Sequence, residues 1–402
     1  MPMPKTNSPK NWMRIRATFI TVVFRRITLA FVLPLVWLSP LAFSINSYGQ
    51  EVQSIERAEL IERAVARLIE IQEPDGAWPY EGVYRVNRQI PVGYRIGGTA
   101  IVCQALLDAP LQDRSGVDAA IRRGVKLILT ELEHPLMAVS QANQYDVRVW
   151  GHIYGLETFV RLKASGRFAD LEDAMQPWIE RLIPILLEEQ LEDGGWNYAS
   201  RNQHAPFVTA PALQALLAAR ANGMTIDAAV FERGVEALLG SRGTNGAFSY
   251  SGKTSVSGGG EKLPGSIARN PVSEATLLML DKGNVQHLQA AIDAFYEHWD
   301  ELEKRRKKTG THVAPYGVAP YYFYYGHRYL AQSIELLPEE TREREHQRFE
   351  AVLRKTMDDD YTWNDRVFDR SRAFGTAMSI LALSQTAVPL PTKPTAVRVP
   401  GE

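Results

Sequence analysis

The chain has 402 residues, with 45 lysines and arginines, 46 aspartates and glutamates, and a single cysteine, Cys103. One cysteine excludes an intramolecular disulfide and zinc sites built on paired cysteines. A formal net charge of −1 leaves no basic excess of the kind that binds nucleic acid, so no nucleic-acid partner is predicted.

The first 50 residues have the pattern of an export signal. Lysines and arginines, but no acidic residue, precede an apolar run over residues 27–43, and small residues follow at Ser47 and Gly49. This pattern is typical of a secretory signal peptide and predicts an exported protein, in the periplasm or on the cell surface. Because the apolar run is nearly long enough to span a bilayer, an uncleaved N-terminal membrane anchor is the alternative.

From residue 55 onward, apolar residues recur with the helical period. Amphipathic segments with one charged face are predicted over residues 55–71, 116–133, 171–189, 226–239, 285–308 and 339–355. More apolar segments alternate with them, over residues 93–107, 146–163, 206–221, 270–280, 320–336 and 370–383. A helix with one charged face lies outside, and one that is apolar all round lies inside. The alternation predicts an all-α (α/α)6 toroid, or barrel, of six helical hairpins over residues 51–386, followed by a proline-rich disordered tail over residues 387–402.

A short motif recurs at the ends of three of the charged segments. Its copies read Gln72-x-x-Asp75-Gly76-x-Trp78-x-Tyr80, Gln190-x-x-Asp193-Gly194-x-Trp196-x-Tyr198 and Arg242-x-x-Asn245-Gly246-x-Phe248-x-Tyr250. Asp-Gly or Asn-Gly supplies a residue that can take a positive φ after a helix. The aromatic residue two positions later can pack the departing chain against a neighbouring element, so the motif is interpreted as a structural repeat.

A degenerate copy of the motif follows the last charged segment. Asp360 falls at the position of Asp75, and Trp363 falls at the position of Trp78. The acidic run Asp358-Asp359-Asp360 is therefore interpreted as a turn, although it could be mistaken for a metal or proton-donor motif.

These turns resemble the QW repeats of the terpenoid cyclase and protein prenyltransferase superfamily, especially the C-terminal domain of squalene–hopene cyclases. The resemblance covers about residues 55–385, and it implies an α/α toroid in which the motif residues serve stability. The catalytic signatures of the superfamily do not carry over. The chain has no Asp-x-Asp-Asp motif, and Ile101 stands where a prenyltransferase would have the zinc-binding aspartate two residues before Cys103. No metal and no cofactor are predicted.

Residues that occur in one repeat only are better candidates for function than repeated ones, because function in a toroid usually lies where the inner helices open into the central cavity. The catalytic candidates are His152, His204, Tyr322, His327 and Arg372. The candidates for lining a ligand cavity are Arg148, Trp150, Tyr154, Phe207, Arg269, Tyr321 and Tyr325. The alternative for each is a structural role, as a satisfied core histidine, a packing aromatic or a member of an ion pair.

Two functions follow from these candidates. The leading hypothesis is an exported cyclase-like protein that lacks cyclase and prenyltransferase activity and binds an apolar or isoprenoid molecule, or a protein partner. The alternative is a polysaccharide lyase or glycoside hydrolase acting on an acidic polysaccharide, because aromatic faces stack on sugars and arginines bind carboxylates. Paired carboxylates in the cavity would favour a hydrolase, and a Tyr–His–Arg cluster would favour a lyase. An aromatic cavity without either would favour lipid binding.

Overall fold

A computed structural model describes residues 55–141, 147–198, 202–254 and 261–384, which form fourteen α-helices and no β-strand within these ranges. The predicted export segment and the predicted proline-rich tail lie outside the described residues. Within the described ranges, no helix is both long and apolar enough to cross a bilayer.

Two sets of six helices alternate along the chain. The outer set is α1 (Arg57–Glu70), α3 (Ser115–Leu132), α5 (Glu172–Glu188), α7 (Ala228–Ser241), α10 (Val285–Glu297) and α13 (Glu339–Arg354). The inner set is α2 (Val92–Asp108), α4 (Arg148–Ala164), α6 (Pro206–Ala221), α9 (Asn270–Met279), α12 (Tyr322–Glu335) and α14 (Arg372–Leu383). Two short helices, α8 (Leu263–Ser266) and α11 (Trp299–Glu303), lie between these hairpin helices.

The inner helices form a closed ring. Each packs against the next one along the chain, and the last, α14, packs against the first, α2. Burial follows the same division, because every residue from 96 to 106 of α2 is buried, whereas α1 buries one stripe that includes Leu60, Ala64 and Leu68. The predicted (α/α)6 toroid is confirmed.

The predicted helix over residues 285–308 is wrong in its second half. The chain ends α10 at Glu297, resumes as the short helix α11 and turns away after Glu303. The break allows the indole Nε1 of Trp299 to donate to Nε2 of His327 on the inner helix α12, at 2.9 Å. A tertiary contact thus accompanies a break that no glycine or proline marks in the sequence.

A glutamine fastens each of the first two motif turns to the next outer helix. Nε2 of Gln72 donates to the carbonyl of Gly76 and to that of Ala120 on α3, both at 3.0 Å. Nε2 of Gln190 donates in the same way to Gly194 (2.7 Å) and to Val230 on α7 (2.9 Å). One glutamine side chain therefore connects the motif turn at the end of an outer helix to the next outer helix.

A tryptophan connects three motif turns, namely the first, the second and the degenerate last one, to the helices on either side. The indole Nε1 of Trp78, Trp196 and Trp363 each donates to the carbonyl ten residues earlier, at 2.7, 2.7 and 3.1 Å. Each tryptophan backbone N–H donates to a threonine hydroxyl of the following inner helix, namely Thr99, Thr209 or Thr376. In the third motif copy, Phe248 instead donates its backbone N–H to Asn270 at 3.1 Å.

Polar side chains fill the middle of the ring. Arg328 on α12 reaches across to Gln104 on α2 and Glu157 on α4, at 3.4 Å in both cases. Gln214 on α6 donates to Thr276 at 2.9 Å and pairs with Gln332 at 3.0 Å. These groups lie beyond the first turn of their helices.

We expect Gly194→Ala to destabilise the fold. Gly194 has φ +95°, and an added Cβ would lie 2.4 Å from the carbonyl oxygen of Arg233. The strain and the clash should lower the free energy of unfolding by about 1–3 kcal/mol or more, measured by urea denaturation. Gly116→Ala is the control, because its Cβ would meet nothing within 4 Å. Equal effects of the two substitutions would contradict the assigned turn geometry.

Candidate functional site

An aromatic cavity of about 640 Å³ opens at the amino ends of the inner helices. Its wall includes one aromatic side chain from the first turn of each of five inner helices: Tyr94, Trp150, Phe207, Tyr325 and Phe374. The rings pack edge-on or tilted against one another, as in the pair Tyr94–Trp150, whose centroids are 5.5 Å apart. No aspartate or glutamate is among the lining residues in the part of the chain that the structure describes.

The motif turns contribute the tyrosines that follow their anchored aromatic residues. Tyr80, Tyr198 and Tyr250 all line the cavity, and each lies two positions after the buried Trp78, Trp196 or Phe248. The hydroxyl groups of Tyr198 and Tyr250 are 2.6 Å apart. The anchored aromatic residue therefore fixes where the tyrosine enters the wall.

One end of the cavity, the His312 end, consists of His312, Tyr321 and Tyr322. Nε2 of His312 lies 3.0 Å from the hydroxyl of Tyr321. Loss of surrounding solvent, together with the positive charge of Arg269, lowers the pKa of His312. The imidazole is therefore neutral at pH 7 and can accept a proton. It lies at the solvent-exposed mouth, on the loop that precedes α12.

The other end, the Arg366 end, consists of Tyr80, Asp365 and Arg366, whose exposed fractions are 5%, 0% and 2%. Tyr80 and Arg366 line the cavity. Asp365 follows Trp363 by two positions, so it occupies the place that tyrosine occupies in the first three motif copies. Among the described residues, the Tyr80 hydroxyl, both carboxyl oxygens of Asp365 and Nε of Arg366 have no hydrogen-bond partner. Burial raises the pKa of Asp365 to about 8, despite the opposing effect of Arg366.

Five of the predicted site residues come together in the cavity: Trp150, Phe207, Tyr321, Tyr322 and Tyr325. The Tyr325 hydroxyl donates to the backbone carbonyl of Phe207 at 2.8 Å, which ties α12 to α6 across the wall. The structure places the other candidates elsewhere.

Arg148 and His152 form a buried cluster with Glu189 at the end of α5. Nε of Arg148 is 2.7 Å from a Glu189 carboxyl oxygen, and Nδ1 of His152 is 3.1 Å from the other. Burial by itself would raise the pKa of Glu189, but His152 and Arg148 outweigh it and hold the pKa below its usual value. Neither Arg148 nor His152 lines the cavity. Tyr154, two residues after His152 on α4, places its hydroxyl 3.2 Å from that of Tyr329.

His204 lies in an arrangement that looks like a Ser–His–Asp triad. Its Nδ1 is 2.7 Å from Oδ2 of Asp193, and its Nε2 is 2.5 Å from Oγ of Ser241. However, His204 and Ser241 are completely buried, and Ser241 also lies 3.0 Å from the carbonyls of Ala237 and Gly252. A substrate has no access to this serine, so we interpret the arrangement as structural.

Two other repeats support this interpretation. Asp75 pairs with Arg95 on α2 at 2.6 Å, and Asp360 pairs with Arg372 on α14 at 3.2 Å. The motif acid thus binds a basic side chain at the start of the following inner helix in each case. Arg372 and His204 hold equivalent places in this pattern.

His327 is completely buried on α12 and makes two hydrogen bonds. Its Nδ1 lies 2.7 Å from the carbonyl of Phe323, and its Nε2 accepts from Trp299. Burial lowers the pKa of His327 to about 4, so the ring is neutral and both nitrogens are occupied.

Arg269, at the start of α9, lies behind the cavity wall. Its Nε donates to the carbonyls of Phe248 and Ser249, both at 3.0 Å, and Nη2 pairs with Glu261 at 2.8 Å. The side chain therefore holds the third motif turn in place.

Sequence reasoning missed Tyr80, Tyr94, His312, Asp365 and Arg366 as site residues. Tyr80 is visible in the repeat, but its repetition favours a structural role. The signal for Asp365 was the replacement of the repeated tyrosine by an acid. His312 lies between helices, where no periodic pattern marks it.

Comparisons with known proteins support the fold. No family model matches the chain, and no curated protein matches its sequence. A variant of the type II terpene cyclase MstE from Scytonema, in complex with its substrate geranylgeranyl dihydroxybenzoate, aligns with a TM-score of 0.52 and 13% identity, covering 82% of this chain and 96% of that chain. An inactive variant of the α-1,6-mannanase of Salegentibacter sp., in complex with α-1,6-mannotriose, aligns with a TM-score of 0.55 and 12% identity, covering 82% and 99%.

These structures confirm the toroid fold that the repeated turns suggested. At such identities the likeness concerns the fold alone, because one fold hosts unrelated activities.

We expect Asp365→Asn to reduce the pH dependence of stability. The folded-state pKa of about 8 lies above the ordinary value of 3.8, so the folded protein retains a proton that the unfolded chain releases. The resulting stabilisation is complete below about pH 4 and is lost progressively up to about pH 8. At pH 7 the variant should be more stable than the wild type by at least about 1 kcal/mol in urea denaturation, and the difference should vanish near pH 4.

Asp369→Asn is the matched control, because 96% of the Asp369 side chain is exposed. Parallel pH profiles for wild type and Asp365→Asn would show that the carboxyl is ionised normally in the folded protein.

Proposed function

We propose that the protein binds a small apolar molecule, of isoprenoid or long-chain acyl type, in the aromatic cavity. The observation that carries this proposal is a wall of aromatic rings without a lining carboxylate among the described residues. A volume of about 640 Å³ lies within the range of ordinary ligand sites. Removal of a hydrocarbon chain from water into such a cavity gains about 25 cal/mol for each Å² of apolar surface.

The cyclase MstE supports the proposal by analogy only, because it binds a geranylgeranyl substrate within the same fold. In this chain the superfamily's acid motif is missing, so the proposal covers binding and does not extend to cyclisation.

A glycoside hydrolase fits the cavity poorly. Hydrolysis of a glycosidic bond usually needs two carboxyl groups that face the substrate. The run of adjacent aspartates in this chain lies in the last motif turn, where Asp358 pairs with Lys307, and Asp360 with Arg67 and Arg372. None of these aspartates lines the cavity.

A polysaccharide lyase is the second candidate, and one contact favours it. His312 and Tyr321 lie within hydrogen-bond distance at the mouth, as a base and an acid for β-elimination would. Arg366 lies in the same cavity and could bind a uronate carboxylate.

We also propose that the protein is exported, because its first 50 residues have the pattern of a secretory signal peptide. Cell fractionation of the full chain, with detection of the mature mass, tests it. A protein found only in the cytoplasm at full length would contradict export.

We expect protein purified without detergent to retain an apolar molecule, or to bind added geranylgeraniol, in native mass spectrometry. Phe207→Asp should weaken geranylgeraniol binding at least about tenfold, because it places a charge in the apolar wall. Leu239→Asp is the control, since Leu239 is 44% exposed and lies on α7, away from the cavity.

A wild-type protein that retains no apolar molecule and does not bind added geranylgeraniol would contradict apolar binding. Release of unsaturated product from a uronate polysaccharide, seen as ultraviolet absorbance, would establish the lyase instead.

A further inference from the structure

We propose that the Arg366 end binds the anionic head group of the ligand, a carboxylate or a phosphate. The ligand would then be an amphipathic acid whose apolar body lies among the aromatic rings. This inference rests on the proposed function and adds the ligand's chemical class and its orientation.

The first observation is a group of unused hydrogen-bond donors in a buried place. Tyr80 and Arg366 both line the cavity and are at least nine-tenths buried. The Tyr80 hydroxyl and Nε of Arg366 find no partner among the described residues, whereas Nη2 of Arg366 donates to the carbonyl of Gly310 at 3.2 Å. Buried donors are almost always paired in folded proteins. A ligand with acceptor oxygens would satisfy both donors.

The second observation is the charge around these donors. Among the described residues, no carboxylate lines the cavity, and neither carboxyl oxygen of the adjacent Asp365 makes a hydrogen bond to Arg366. Burial keeps Asp365 protonated at pH 7, so its carboxyl does not repel an anion and can donate a hydrogen bond. The titratable neighbours of Asp365 are Tyr80, Tyr324 and Arg366, of which only Arg366 carries a charge at pH 7.

The inner helices add to the positive potential. The cavity lies at their amino ends, where each helix dipole presents partial positive charge. This potential favours an anion anywhere in the mouth. The unpartnered donors of Tyr80 and Arg366 favour the Arg366 end as the place of the anionic head group.

Among the described residues, the His312 end offers no comparable cation. Most hydroxyls there are engaged, as in the pairs Tyr198–Tyr250 and Tyr321–His312. The Tyr322 hydroxyl also lacks a partner among the described residues, but the nearby Arg269 directs its donors to backbone carbonyls and to Glu261. The apolar body of the ligand is therefore expected to extend toward the His312 end.

The test compares three probes that share one hydrocarbon chain: geranylgeranoic acid, geranylgeranyl monophosphate and geranylgeraniol. Isothermal titration calorimetry of the purified protein should show tighter binding of at least one acid than of the alcohol, by about tenfold or more, because hydrogen bonds to charged groups are the stronger ones. The better of the two acids identifies the head group.

Two variants locate the effect. Arg366→Gln should remove the preference, so that the acid and geranylgeraniol bind with similar affinity. Tyr80→Phe should reduce the preference for the acid several-fold. This substitution removes only a hydroxyl that has no hydrogen-bond partner among the described residues, so it should not disturb the fold. It therefore remains informative if Arg366→Gln fails to fold. Arg370→Gln is the control, because Arg370 is 55% exposed and lies outside this cavity.

The outcomes separate the two proposals. Equal affinity of the wild type for acid and alcohol overturns the head-group assignment and leaves apolar binding standing. A preference for the acid that survives both Arg366→Gln and Tyr80→Phe also overturns it. Failure of all three probes to bind contradicts the proposed function itself.

Discussion

A buried tryptophan that donates hydrogen bonds in two directions is the contact on which this toroid depends. Its indole N–H binds the end of the preceding outer helix, and its backbone N–H binds a threonine on the following inner helix. An outer helix alone exposes an apolar stripe, and an inner helix alone exposes apolar surface on all sides. The tryptophan couples the two kinds of helix at each turn where it occurs, and a residue with positive φ (Gly76, Gly194 or Tyr361) provides the sharp change of direction.

The same contact also decides what faces the cavity. Once the tryptophan is fixed, the chain leaves it in an extended path, and the residue two positions later reaches the mouth of the ring. Three repeats place a tyrosine there, whereas the last repeat has the buried Asp365 at this position and its neighbour Arg366 lines the cavity. A structural repeat and a candidate binding surface are therefore built from one short segment.

The fold could be predicted from sequence because its signals are local and repeated. The helical period, the alternation of apolar content and the Asp-Gly turns recur in the same order along the chain. An error in predicting one hairpin is therefore corrected by the others. The break before Trp299 could not be predicted, because no glycine or proline marks it and the contact that accompanies it is with His327 on another helix. The site could be predicted only in part for the same reason. Aromatic residues at the starts of inner helices were visible, whereas the difference between Trp150 in the wall and His152 against Glu189 depends on which side of α4 each residue takes in the assembled ring.

The polar groups in the middle of the ring limit the apolar part of the barrel. Arg328, Gln104 and Glu157 lie beyond the first turns of the inner helices, and none of them is among the residues that line the aromatic cavity. A hydrocarbon chain that extended past the aromatic rings to these groups would bury them against an apolar surface, which costs free energy. The position of these groups, as well as the chemistry of the wall, therefore limits the length of hydrocarbon that the barrel can enclose favourably.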